Sequence, residues 1–248
     1  MTNPLAEPSV ITTRAHPGVP AHVALVLDGN RRWAAQRGLS VDEGHHFGIA
    51  KIPEVLQWCE EEGVAMVTQW VLSVRNLQRS PQELAGLYQS FTSLCERLAE
   101  AQRWRVRVIG ALELLPAPVA QAFEDVQRRT DHLEGLEANI AVAYDGRREI
   151  VSAARSLAHK YRDRWPEEPA EDLAWWEGEF ASHLGTAGLA DPDLVIRTSG
   201  EQRLSGYLPW QTTQSELYFC ERLWPDFSRD DLREALHSYA SRQRRLGL

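Results

Sequence analysis

Cysteine is scarce in this chain: Cys59, Cys95 and Cys220 are three in 248 residues, odd in number and widely spaced. That spacing excludes a disulfide framework and the paired thiols of a zinc site. Each cysteine sits in an apolar or helical pattern, so all three read as buried thiols of a cytoplasmic protein. Long apolar runs are lacking too. None approaches the ~20 residues a membrane span requires, and no charged segment leads into an apolar core with a small-residue cleavage site. Positive charge is in deficit, 27 Lys and Arg against 35 Asp and Glu, for a net charge of -8. Nothing global therefore attracts nucleic acid, and a polyanionic substrate has to be met by local arginine clusters. No Gly-x-Gly-x-x-Gly or Walker run follows any predicted strand, which removes the usual nucleotide signatures.

What is present is a hydrophobic fraction of 43%, enough for one sizeable core. Residues 1–20, with Pro4, Pro8, Pro17 and Pro20, read as a flexible leader to a single domain over 21–248. The near-continuous apolar run over 22–27 predicts a strand buried on both faces that stops at Asp28-Gly29. Further strands are predicted over 64–72, 105–109, 138–144, 193–196 and 216–219. Helical spacing covers 44–62, closing at Gly63. A second helix runs from Ser80 to about Trp104, with Ser80 as cap, Pro81 in the first turn and Glu83 at capping-box spacing. Others start after Pro118, at Arg147 and at Arg229, the last reaching Arg245, and the stretch 162–190 has room for one more. This alternation predicts an α/β fold, a mostly parallel central sheet with helices on both faces and ligands outside the carboxyl ends of the strands.

Three polar clusters fall at such strand ends. Asp28-Gly29-Asn30-Arg31-Arg32-Trp33 combines a carboxylate, a glycine turn and two guanidinium groups, which suits a diphosphate with a metal ion. Taken alone it reads first as an Asp-Gly turn followed by solvated arginines. Ser73 to Arg79 serves equally as a helix-capping loop. Arg197 to Ser205 carries two arginines and several hydroxyls around Gly200, and favours phosphate over a solvated face. Glu216, opening the next strand, offers a second carboxylate.

Taken together and in this order, these clusters resemble the cis-prenyltransferase, or undecaprenyl diphosphate synthase, family across roughly residues 22–247. The run from His22 to Ala34, Gly44-His45, Ser73 with Asn76 and Arg79, Tyr144-Asp145-Gly146-Arg147, the run from Asp193 to Ser205, Trp210-Gln211 and Glu216-Leu217-Tyr218-Phe219 carry the likeness. Within the family the chain resembles the short-chain Z-farnesyl diphosphate synthases of actinobacteria. The resemblance implies that Asp28 holds Mg²⁺ on an allylic diphosphate cradled by Gly29, Asn30, Arg31 and Arg32, with Trp33 alongside and Arg79 contributing. It implies that Arg197, Arg203 and Ser205 anchor isopentenyl diphosphate, that Glu216 completes the metal shell, and that Asn76, Ser73 and His45 lie where the condensing carbon loses its proton. An Arg245-Leu246-Gly247 ending that reaches a neighbouring subunit's site implies a homodimer. Trp70 and Val71 add bulk to the prenyl tunnel, which suggests a short product, although both also fit as ordinary strand residues.

The chain departs from the family at Arg31, where Gly is usual, and at Val41, where an Arg is usual. Val74, Arg75 and Leu77 replace a Thr, an acid and an aromatic. Ala143, Asp145 and Pro209 also depart. These changes keep irregular head-to-middle coupling to a branched lavandulyl-type product open beside regular head-to-tail condensation. A non-catalytic subunit, as some family members are, is a separate reading, against which Asp28, Asn76, Arg197 and Arg203 are all present. The helical trans-type synthases need two Asp-rich motifs, whereas Asp230-Asp231 is the one Asp pair here.

Overall fold

The apolar runs assemble into one sheet of six strands, every neighbouring pair parallel, in the order β3-β4-β2-β1-β5-β6. These are β1 (His22–Val26), β2 (Met66–Trp70), β3 (Arg105–Ile109), β4 (Glu137–Ala141), β5 (Leu194–Arg197) and β6 (Glu216–Phe219). The computed structural model describes residues 18–162 and 172–242; most of the expected leader, and residues 243–245 of the expected last helix, lie outside them.

Both faces of the sheet are buried, as the unbroken apolar runs predict. Val23 and Leu25 of β1 enter a large core with Ile52, Leu56, Leu87, Phe91, Leu94 and Phe123. Those partners come from α3 (Ile52–Glu61), α4 (Pro81–Ala101) and α5 (Ala117–Thr130). Ala24 and Val26 face the other way, toward Tyr144, Val195, Tyr207 and Leu208. Passing from β4 back to β5 reverses the direction taken from β1 to β2. A right-handed crossover then places α6 (Gly146–Lys160) and α7 (Leu173–Ala181) on this second side. Glu149 of α6 and Phe180 of α7 duly meet Gln211 and Trp210 of the segment that covers it. The α7 helix is the extra helix expected within 162–190.

Several boundaries differ from the sequence reading. The helix expected over 44–62 is two, α2 (Val41–Ala50) and α3. Pro53 sits in the first turn of α3 and cannot donate to the preceding turn. The α2 helix starts earlier than expected because Ser40 and Glu43 form a full capping box. At α4 only half of the predicted box forms: Ser80 accepts from the Glu83 amide, but the Glu83 side chain goes elsewhere. That helix stops at Ala101 with Gln102 left-handed, before buried Trp104. The α5 helix takes Pro118 into its first turn instead of starting after it. Strands β2 and β4 are shorter than predicted, and α8 (Arg229–Ser241) ends ahead of Arg245.

Candidate active site

Strand β1 lies between β2 and β5, and the chain leaves it toward one side and returns on the other. Such a switch point opens a crevice at the carboxyl ends of the strands. Asp28 stands there, two residues beyond β1. Its backbone is fixed on both sides: the amide donates to Thr198 Oγ1 at 2.9 Å, and the carbonyl accepts from Thr198 Oγ1 at 2.7 Å and from the Trp224 amide at 3.0 Å. Gly29 then turns the chain into α1 (Asn30–Gln36) at φ +119°, and a Cβ there would lie 2.9 Å from the Leu223 side chain. Only glycine satisfies both the dihedral and the close approach.

The carboxylate of Asp28 is held between two arginines. Arg197 Nη2 donates to Oδ2 at 2.8 Å, and Arg32 Nη2 stands 3.6 Å from Oδ1. Arg197, the last residue of β5, is buried, and its other terminal nitrogen donates to Ser205 Oγ at 2.8 Å and to the Arg203 carbonyl. Its Nε has no partner among the described residues. Arg203 pairs with Glu201, which also lies 3.8 Å from Arg32 Nη1. Thus the clusters after β1 and β5 form one charged surface.

The cluster after β2 forms the opposite wall. Ser73 caps a short 3-10 helix, Val74–Gln78, through a reciprocal pair: Ser73 N donates to Asn76 Oδ1 at 3.0 Å and Asn76 N to Ser73 Oγ at 3.1 Å. Next to it, His45 of α2 and Arg79 converge on one oxygen of Glu83 at 2.9 and 3.2 Å. Burial lowers the His45 pKa, opposed by the Glu83 hydrogen bond and aided by the nearby Arg79 charge. Burial also lowers that of Arg79, and Glu83 works against it.

These walls enclose a cavity of about 780 Å³ with a polar mouth and an apolar interior. Asp28, Ser73, Asn76, Arg79, Arg197, Arg203 and Ser205 line the polar part; Ile49, Trp70, Val71, Leu72, Leu87 and Trp224 line the apolar part. A second cavity of about 560 Å³ adjoins it and is lined by Asp28, Gly29, Asn30, Arg31, Arg32, Val41, His45 and Arg79. Trp70 is locked in place by stacking on Tyr207, with centroids 5.0 Å apart. The site can therefore receive anionic groups at the mouth and an apolar chain behind them.

Not every expected site residue arrives. Trp33 turns away: it is buried against Phe47, and Nε1 donates to Asp226 at 2.7 Å. Glu216 opens β6, whose far end Phe219 is level with Arg197, so it lies about 10 Å back along the strand from the level of the site. Its carboxylate meets Arg242 instead, and the chain does not by itself bring it to Asp28. Arg245 and Gly247 lie outside the described residues. Conversely, Glu83 went unassigned to the site because its spacing from Ser80 already explained it as a cap. Arg147 was quoted only as part of a motif, and Arg75 only as a departure. Both line the large cavity and, like Arg31, have no ion-pair partner among the described residues. Two such guanidinium groups at the large cavity and a third at the adjoining one, in an acidic chain, are a signal that only their juxtaposition supplies.

Residues 26–247 match the family described as putative undecaprenyl diphosphate synthases. The chain belongs to this family, the cis-prenyltransferases. Among curated relatives it is 50% identical over 229 residues to a (2Z,6E)-farnesyl diphosphate synthase of Thermobifida fusca, covering 92% of this chain and 90% of that one. It is 45% identical over 238 residues to a short-chain Z-isoprenyl diphosphate synthase of Mycobacterium leprae, covering 95% and 90%. A solved structure of the same shape is lavandulyl diphosphate synthase from Lavandula x intermedia in complex with dimethylallyl diphosphate. It has a TM-score of 0.87 and 34% identity, with 93% of this chain and 99% of that one covered. The family and the parallel α/β fold expected from the motifs are both borne out. Among the described residues no helix is long and apolar enough to cross a membrane.

Proposed function

We propose that this cis-prenyltransferase is a magnesium-dependent enzyme that condenses dimethylallyl or geranyl diphosphate with isopentenyl diphosphate to a short-chain Z-prenyl diphosphate. The observation that carries this reading is Asp28 set between Arg32 and Arg197 at the mouth of a cavity whose far wall is apolar. One carboxylate beside several guanidinium groups suits Mg²⁺, a hard cation usually held by one or two carboxylates together with substrate phosphates. Asp28 would hold it, and when bound it would offset the charge that grows on the leaving diphosphate.

The chain's own residues do the rest. Arg31, Arg32 and Arg79 grip the allylic diphosphate, with Asn30 shaping the floor against Gly48, where a Cβ would come within 2.3 Å of Asn30 Oδ1. Arg197, Arg203 and Ser205 anchor the isopentenyl diphosphate. Two anchored diphosphates fix the alkene against the ionising carbon, which converts most of the entropic barrier into binding. Asn76, Ser73 and His45 lie where the condensing carbon loses its proton, and among them the His45 imidazole is the group with a basic nitrogen. Ile49, Val71, Leu72 and Leu87 shelter the growing chain from water, and the bulk of Trp70 and Val71 keeps it short. Glu216 and the 245–247 ending act at a neighbouring subunit's site in a homodimer, with β6 as the sheet edge that faces it.

Incubation with Mg²⁺, either allylic starter and isopentenyl diphosphate, followed by phosphatase treatment and identification of the alcohols, tests this. A linear Z product that requires both substrates is expected. A second reading, head-to-middle coupling, is favoured by Arg75 at the cavity wall where relatives carry an acid, and by the likeness to a lavandulyl diphosphate synthase. A branched alcohol formed from dimethylallyl diphosphate alone reverses the ranking. The non-catalytic reading is disfavoured by the presence of Asp28, Asn76, Arg197 and Arg203.

A further inference from the structure

Glu83 sits on the first turn of α4, where its backbone amide is already satisfied by Ser80 Oγ at 3.2 Å. A capping glutamate normally folds back to the N-cap amide, as Glu43 does to Ser40 at 2.8 Å. Glu83 instead crosses to α2 and offers Oε1 to His45 Nε2 at 2.9 Å and to Arg79 Nη1 at 3.2 Å. All three side chains are largely buried, at 5%, 15% and 21% exposure for His45, Glu83 and Arg79. His45 and Arg79 line both cavities, whereas Glu83 lines neither. It stands behind the wall that the reacting groups face.

The geometry decides the imidazole tautomer. Two nitrogens converge on one carboxylate oxygen, and Arg79 Nη1 lies 3.3 Å from His45 Nε2. A bare Nε2 that accepted from Arg79 at 3.3 Å would set its lone pair against the Glu83 oxygen at 2.9 Å, and a carboxylate has no proton to give; the shorter contact therefore favours hydrogen on Nε2, donated to Glu83. This leaves Nδ1 as the basic atom, and it has no hydrogen-bond partner among the described residues. The same oxygen holds one terminal nitrogen of Arg79, which fixes the remaining N–H donors for an anion. A carboxylate that orients an imidazole and stabilises its cation is a recurring arrangement at sites of proton transfer.

We infer that Glu83 is a positioning residue: it sets His45 in the Nε2–H form with Nδ1 free to accept a proton, and holds Arg79 ready for the allylic diphosphate. This rests on the function proposed above. The charged groups acting on His45 are Glu83 and Arg79 from the α4 side and Arg31 from α1. Glu83 is the one that favours the imidazolium; the two arginines oppose it. Removing its charge therefore lowers the affinity of His45 for a proton.

The test compares Glu83→Gln and Glu83→Asp with wild type. In Glu83→Gln, kcat is expected to fall about 10–100-fold, the scale typical for loss of a group that orients a catalytic histidine. The acid limb of the kcat/KM profile should move to lower pH, and Glu83→Asp should recover part of the rate. A Glu83→Gln variant with normal kcat and an unmoved acid limb overturns the inference. So does a loss of rate that merely follows the folded fraction measured by circular dichroism. Nitrogen-15 NMR of the imidazoles, assigned with His45→Gln, provides a readout that needs no turnover. An Nε2–H tautomer in wild type that becomes mixed in Glu83→Gln supports the inference, and an Nδ1–H tautomer in wild type overturns it. If wild type makes no prenyl product but the tautomer result holds, the functional reading fails and the positioning role stands.

Discussion

Arg197 and Asp28 meet at 2.8 Å, with the arginine side chain 6% exposed and the aspartate 31%. Each comes from the end of a different strand, 169 residues apart in the chain and neighbours in the sheet. The pair ties the two proposed diphosphate sites into one electrostatic unit. Arg197 neutralises Asp28 in the resting chain and has to share it when a cation and diphosphates arrive.

Replacing Asp28 by Ala leaves Arg197 buried without its partner. Turnover is expected to fall by at least about 100-fold, and stability by about 1–3 kcal/mol, less than for a fully buried pair because Asp28 is partly exposed. Chemical denaturation and a product assay measure the two effects. An active Asp28→Ala protein would sink the assignment of the catalytic centre.

Gly29→Ala forces a side chain onto a backbone at φ +119° and against Leu223 at 2.9 Å. A loss of about 1–3 kcal/mol is expected from the dihedral alone, with a thermal shift of several degrees. Leu223→Ala in the same background should recover little, because it removes the Cδ2 contact but leaves Leu223 Cα and Cβ at 3.0 Å and the dihedral unchanged.

Val71→Ala enlarges the apolar part of the cavity. The expected result is a product mixture shifted by one isoprene unit toward longer chains, read by chromatography of the alcohols. Trp70→Ala should cost about 3 kcal/mol or more, since the ring stacks on Tyr207 in the second core.

Arg147→Ala removes an exposed guanidinium that lines the cavity without an ion-pair partner among the described residues. The KM for at least one diphosphate substrate should rise about 3–10-fold, while stability stays within about 0.5 kcal/mol, as for most surface changes. An unchanged KM for both substrates would show that the residue does not reach them.

His22 gives the fold an acid-sensitive point away from the site. It is 3% exposed, Nδ1 donates to the Ala190 carbonyl at 2.7 Å, and Nε2 accepts from Thr68 Oγ1 at 2.7 Å. Burial is the main cause lowering its pKa from 6.5 to about 4. The unfolded chain thus takes up the proton first. This contribution is complete above pH 6.5 and is lost as pH falls from 6.5 toward 4, by roughly 3 kcal/mol in all. His22→Gln should flatten the stability profile across that window, measured by denaturation at a series of pH values.

Much of the architecture is legible in the chain because local chemistry dictates it. Runs such as Val23-Ala24-Leu25-Val26 have apolar residues at every position, which only a sheet covered on both sides can bury. Helix starts are legible where a cap precedes a proline, as at Ser80-Pro81, and escape notice where the cap lies ahead of the first apolar-periodic residues, as at Ser40. Pro53 hid a helix break inside an otherwise continuous apolar pattern.

The motifs by themselves determined the family, the parallel sheet and the location of Asp28, Arg197 and Ser73 at strand ends, since strand-to-loop boundaries are written in residues close together in sequence. Tertiary structure alone decided that Asp28 and Arg197 pair, that Trp33 turns into the packing, that Glu216 lies at the wrong end of its strand for its own site, and that Glu83 leaves its cap for His45. Each of these depends on which side chains the sheet order and helix packing bring within about 3 Å across long stretches of chain, and spacing along the sequence carries no record of that distance.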